Sequence, residues 1–160
     1  MSKSTDIAAL FDQYVMHTYA PTATLTSGSG CKVRDPDGKT YLDFTSGIAV
    51  HNVGHCHPKV VKAVQDQVAT LGHCSNLFYN VNQALLGQRL SKLSLNGKCF
   101  FCNSGAEANE AMIKLARLWG HEKGKFEIIT LQNSFHGRTL ATMAATAQAK
   151  IQKGYDPLPI

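Results

Sequence analysis

No apolar run in this sequence approaches the ~20 residues that a bilayer-spanning helix needs, so no transmembrane helix is expected. The first residues, Met1 to Ile7, are polar, and no signal-peptide apolar core follows them. Internal repeats and low-complexity tracts are missing, and the 13 glycines and five prolines fall in no collagen or linker period. The five cysteines are an odd number, so they cannot all pair within one chain. Together with the polar start, this predicts a reducing, cytoplasmic setting. The net charge of +5 is also undirected: 16 basic residues are spread from Lys3 to Lys153, and no three are consecutive. Nucleic-acid binders concentrate such charge in a patch or stripe. A mildly basic soluble protein, or a site for anionic small molecules, accounts for the excess as well, and no nucleic-acid or membrane partner is expected.

What the 160 residues do contain is enough apolar material for a core, at 44% hydrophobic and 17% charged. That length suits one domain, or one domain and part of a second. Asp6 to Tyr19 reads as a helix with Ile7, Leu10, Phe11, Tyr14 and Val15 on one face, ending before Pro21. Thr22 to Gly30 reads as a loop. Cys31–Arg34 and Thr40–Phe44 flank Asp35-Pro36-Asp37-Gly38, a hairpin turn. A helix is expected from Pro58 to about Leu71, with Val60, Val61, Val64, Val68 and Leu71 buried, and another from Val81 to Leu93. Cys99–Asn103 and Phe126–Leu131 read as buried strands around a helix from Ser104 to Gly120, whose stripe is Ala108, Met112, Leu115, Ala116 and Trp119. A short helix is expected within Thr139–Ala149. This strand–helix–strand alternation predicts an α/β fold with a parallel sheet and right-handed crossovers. Two strands are too few for such a sheet, so the chain reads as part of a larger domain.

Two junctions could carry chemistry. Asn103-Ser104-Gly105-Ala106-Glu107 opens a helix, where free N–H groups and the helix dipole attract an anion such as a phosphate. Gly105 would let the ligand approach the backbone closely. The same residues also satisfy S-x-x-E, a capping box that needs no ligand. Neither a phosphate loop with glycine–lysine–serine/threonine nor three spaced glycines is present. The second junction, Ser134-Phe135-His136-Gly137-Arg138, follows the second expected strand, where open α/β sheets bind ligands. Phe135 could stack on a flat ring and Arg138 could grip a carboxylate, or the two could be core and surface residues. Cys99-Phe100-Phe101-Cys102 has C-x-x-C spacing, but positions three apart on a strand point to opposite faces, so buried inert thiols are expected. His51, His55, Cys56 and His57 lie in a Gly/Pro loop without a nearby acidic partner, and no metal is expected.

Taken together, the motifs resemble one family. Asp37-Gly38-Lys39-Thr40-Tyr41-Leu42-Asp43-Phe44, Ser46-Gly47-Ile48-Ala49-Val50, Gly54-His55-Cys56-His57-Pro58 and Ser75-Asn76-Leu77-Phe78-Tyr79-Asn80 stand in its order. So do the more specific Phe100-Phe101-Cys102-Asn103-Ser104-Gly105-Ala106-Glu107-Ala108-Asn109-Glu110-Ala111 and Phe135-His136-Gly137-Arg138-Thr139. From about Tyr14 to Ile160 the chain resembles the class III aminotransferases, pyridoxal-phosphate enzymes of fold type I, and within them the acetylornithine subgroup.

The resemblance implies a fold type I transferase, with residues 1–50 in its small domain and 51–160 beginning its large cofactor domain. It implies pyridoxal 5'-phosphate as cofactor, with its phosphate on Ser104, Gly105 and Ala106 and its ring on Phe135, and Arg138 on the substrate α-carboxylate. The implied reaction moves an amino group from N-acetylornithine to 2-oxoglutarate, in a cytoplasmic homodimer. The family's Schiff-base lysine and ring aspartate have no match here, so these residues are expected to be the N-terminal part of an enzyme and inactive alone. The alternatives are another class III enzyme acting on ornithine, succinylornithine or 4-aminobutyrate, and a non-catalytic module that binds a phosphorylated ligand.

Overall fold

The structure, a computed structural model, describes residues 3–159. The chain forms two compact units that divide between Phe78 and Tyr79.

The first unit begins with α1 (Lys3–Tyr14). Asp37, in the hairpin turn, caps it from a distance: its carboxylate accepts from the N–H groups of Lys3 (2.9 Å) and Ser4 (3.2 Å). That places an anion where the helix dipole favours one. The helix stops five residues before the expected end, and the Thr18 N–H turns back to the Met16 carbonyl. A three-stranded antiparallel sheet follows, β1 (Ser27–Ser29), β2 (Lys32–Arg34) and β3 (Thr40–Leu42), in that spatial order. The expected hairpin is β2–β3, with Val33 opposite Tyr41. β1 replaces part of the expected loop. Its small polar residues carry no strand periodicity; backbone pairing with β2 is what makes it a strand.

The turn that follows is unusual. In α2 (Ser46–Ala49), Ser46, Gly47, Ile48 and Ala49 all have φ between +48° and +63°, a single turn of left-handed helix. Such backbone disfavours every residue but glycine, by about 1–2 kcal/mol each, yet Ile48 is held there with its side chain 92% exposed. α3 (Pro58–Thr70) then starts with proline at its first position, as expected.

The second unit contains α4 (Val81–Leu93), α5 (Gly105–Gly120), α6 (Leu140–Ala145) and α7 (Ala149–Gln152). Asn80 caps α4 by accepting from the Gln83 N–H at 3.0 Å. α5 packs on α6, and α6 on α7. The core is small: Val33 (6% exposed) in the first unit, and Met143 (4%) with Thr142 and Thr146 in the second.

Three expectations are corrected here. Cys99–Asn103 and Phe126–Leu131 form no strand; the parallel pairing seen among the described residues is an isolated bridge, Gln132 with Ala147. An apolar segment becomes a strand only beside a partner that takes up its N–H and C=O groups, and among the described residues neither segment has one. The stripe Val60, Val61, Val64, Val68 and Leu71 exists on α3 but is exposed, because no described element packs on that helix. On α5 the expected stripe is also on the outside, with Met112, Leu115 and Trp119 exposed. The partly covered positions include Ala106, Asn109, Glu110 and Ile113 instead, because α6 and the loop before it lie against that face. Among the described residues, no helix is long and apolar enough to cross a membrane.

Candidate active site

Ser104 caps α5 with extended backbone, and its Oγ accepts from the Glu107 N–H at 3.2 Å. Glu107 turns backward. One carboxylate oxygen accepts from the Asn103 N–H at 2.6 Å and the other from the Asn103 side-chain amide at 3.4 Å. These bonds, the Asn103 N–H first, hold the Glu107 carboxyl below its ordinary range. The capping-box reading of Ser104 and Glu107 therefore holds, displaced by one residue, since the glutamate reaches Asn103 rather than Ser104. It does not exhaust the helix start. Ser104 takes the third N–H of the helix, which leaves those of Gly105 and Ala106 directed at the space before it. A Cβ added at Gly105 would meet no atom within 4 Å, so the side-chain position of that residue is open.

The second junction lies against the same helix. Gly137 (φ +139°) sits so near Ala106 that an added Cβ would fall 2.8 Å from the Ala106 Cβ. Asn109 donates its side-chain amide to the His136 carbonyl at 2.6 Å, and the Thr139 hydroxyl donates to the Glu110 carboxylate. From the other side, the Thr146 hydroxyl accepts from the His136 N–H at 2.9 Å, and the Thr142 hydroxyl accepts from the Thr139 N–H at 3.1 Å. Both threonines are fully buried. The loop is thus clamped between α5 and α6, while the candidate side chains Phe135 and Arg138 are exposed. Phe135 (56% exposed) and Arg138 line one groove with Leu140, Met143, Gln148 and Tyr155.

Of the five candidate residues, the structure joins Phe135 and Arg138 in one groove and brings their loop onto Ala106. Ser104, Gly105 and Ala106 do not line that groove. The clamp residues Asn109, Glu110, Thr142 and Thr146 went unrecognised in the sequence. The 3.6-residue spacing of Ala106, Asn109 and Ile113 was the available signal, but it competed with a more apolar stripe.

In the first unit, the loop expected to lack an acidic partner has one. His55 Nε2 lies 2.7 Å from Asp43 Oδ2, a residue 12 positions earlier that the hairpin returns to the loop. The other Asp43 oxygen accepts from the Thr45 N–H (2.9 Å), the Thr45 hydroxyl (2.8 Å) and the Ser46 N–H (2.9 Å). His55 first, then Thr45 and Ser46, holds the Asp43 carboxyl well below the usual carboxylate range. Asp43 therefore anchors the left-handed turn at its entrance. The His55 ring covers Gly28, where an added Cβ would lie 2.8 Å from the ring. Cys99 and Cys102 are exposed rather than buried, with thiols directed at the Gly87 and Ser104 carbonyls. Among the described residues, no three His, Cys, Asp or Glu side chains group as metal ligands.

Comparison with known proteins identifies the family. The family model described as aminotransferase class-III matches residues 14–159. Acetylornithine aminotransferase of Methanocaldococcus jannaschii is 54% identical over 140 residues, covering 84% of this chain and 35% of that protein. The same enzyme of Thermosynechococcus vestitus is 53% identical over 152 residues, covering 92% and 37%. Among solved structures, the ornithine aminotransferase of Toxoplasma gondii ME49 superposes with a TM-score of 0.90 at 25% identity, over 100% of this chain and 39% of that one. An aminotransferase of Bacillus anthracis gives 0.88 at 33% identity, over 97% and 36%. The chain thus spans little more than a third of the length of the curated relatives it matches. The expected fold class, the N-terminal portion of a fold type I transferase, holds. By its sequence over residues 14–159 and by its fold, the chain belongs to the class III aminotransferases.

Proposed function

We propose that these residues are the N-terminal part of a pyridoxal-phosphate-dependent aminotransferase that moves the amino group of N-acetylornithine to 2-oxoglutarate. The observation that carries the reading is the meeting of Ala106 and Gly137. It brings an anion-receptive helix start next to a loop that presents an aromatic ring and a guanidinium. The choice of substrate is supported by the relatives, which bear the name acetylornithine aminotransferase at 54% and 53% identity.

The residues fit the cofactor. The Gly105 and Ala106 N–H groups and the positive end of α5 suit a phosphate, and nothing occupies the space above Gly105. Glu107 would repel a phosphate, but its carboxylate is turned onto Asn103 and stabilised there. The half-exposed Phe135 offers a face for a pyridine ring. Arg138 suits the α-carboxylate common to the amino donor and the 2-oxo acid, because its planar fork forms two parallel hydrogen bonds. When bound, the cofactor supplies the electron sink that lets the α-proton of an amino acid leave. The residues of this chain would hold the phosphate, stack on the ring through Phe135 and align the substrate carboxylate. The lysine amine and ring aspartate that the family also uses have no counterpart here, so this segment is not expected to transaminate alone. In the complete enzyme, residues 1–50 belong to the small domain and 51–160 begin the large one. That enzyme works as a homodimer in the cytoplasm.

The test compares kcat/KM of the complete protein for N-acetylornithine, ornithine and 4-aminobutyrate. The reading predicts the highest value for N-acetylornithine, and preference for 4-aminobutyrate would remove the substrate assignment.

A further inference from the structure

Two contacts between α5 and the Ser134–Thr139 loop, Asn109 with His136 and Glu110 with Thr139, involve groups outside those proposed to hold cofactor or substrate. Gly137 has φ +139°, a region side chains rarely adopt, and it stands between His136 and Arg138. A glycine there leaves the loop backbone free to swing, so hydrogen bonds must fix its course. His136 is where they do so. Its N–H is held by Thr146 from the α6 side and its carbonyl by Asn109 from the α5 side. Asn109 lies one turn after Ala106, on the face of α5 that the loop covers. One side chain therefore ties the helix that would hold the phosphate to the peptide joining Phe135 to Gly137-Arg138.

We propose that Asn109 is a positioning residue: through the His136 carbonyl it sets where Phe135 and Arg138 stand relative to the start of α5. This rests on the cofactor site proposed above and deepens it. Asn109 supplies a neutral donor to the loop backbone and is not among the residues proposed to hold the ligand. Its loss should disturb the ring and the carboxylate grip while leaving the phosphate grip intact.

The test uses the complete protein and Asn109→Asp, which keeps the size of the side chain but has no N–H to give a carbonyl. Three quantities are read: KM for the amino donor and for 2-oxoglutarate, the circular dichroism of bound pyridoxal phosphate, and the dissociation constant of inorganic phosphate for the apo-protein. The expected result is a rise of about tenfold in both KM values, the loss of one hydrogen bond, with an altered dichroic band. Phosphate affinity should change less than about twofold, since the α5 N–H groups are untouched. Asn109→Gln, which retains the donor, should restore the dichroic band and most of the KM. A lower melting temperature with unchanged KM and dichroism, or no rescue by Asn109→Gln, would overturn the assignment. If Asn109→Asp does not fold, Asn109→Gln against Asn109→Leu is read in the same way. Failure of the wild type to bind pyridoxal phosphate would sink the cofactor reading and this inference together, and is told apart by its appearance before any substitution.

Discussion

Gly137 rests on Ala106 with no room for a methyl group between them: a Cβ at Gly137 would lie 2.8 Å from the Ala106 Cβ and 2.5 Å from the Thr142 Oγ1. The two segments that carry the candidate site meet at this point. Gly137→Ala meets both a forbidden φ and a filled space. Each strains the native state by about 1–3 kcal/mol. Denaturant unfolding of the complete protein should show a loss of about 2 kcal/mol or more, and an unchanged midpoint would contradict the packing described.

Gly105 is the opposite case. Its surroundings are open, so Gly105→Val should leave the melting temperature nearly unchanged. A branched side chain would nevertheless stand where a phosphate approaches the N–H groups of α5. Titration of the apo-protein with pyridoxal phosphate should show affinity weakened by about tenfold or more. Equal affinity in the two proteins would place the phosphate elsewhere.

Much of this was legible in the sequence, and the remainder has physical causes. Pro58 and Ser104 are local start signals, and both helices begin where those residues predict. The Asp35–Gly38 turn is equally local, and Gly38 has the positive φ (+92°) that its place requires. Apolar stripes only report that a face wants cover. Val64 on α3 and Leu115 on α5 lack it, and periodicity cannot say whether a partner element is at hand. The Asp43–His55 pair and the Asn109–His136 bond join residues distant in sequence, so neither was visible before the fold was known. The outline of the site was legible in two motifs, whereas the clamp that joins them was not.

Arg138 should act on substrate more than on stability, because it lines an open groove. In Arg138→Ala of the complete enzyme, loss of a charged bidentate pair should weaken binding of carboxylate substrates by about 2–3 kcal/mol, seen as a fall in kcat/KM for both substrates. Unchanged KM and kcat/KM would refute the role.

Asp43 makes the first unit sensitive to acid. Its carboxyl is held well below the unfolded value of about 3.9 by His55, Thr45 and Ser46. A depressed folded pKa contributes stability that is present above the unfolded value and lost as pH falls toward the folded one. The anchor of the left-handed turn should therefore weaken below about pH 4. Thermal melting at pH 7 and pH 3 should show a smaller acid-induced drop in Asp43→Asn than in the wild type, from a lower starting point at pH 7. An identical drop in both proteins would count against the anchor.

The central claim is that the opening of α5 and the Phe135–Arg138 loop form one site for a phosphorylated pyridine cofactor. A crystal structure of the complete protein soaked with pyridoxal phosphate tests it most directly. The account predicts phosphate oxygens on the Gly105 and Ala106 N–H groups and the ring against Phe135; density for the phosphate at any other place would contradict it.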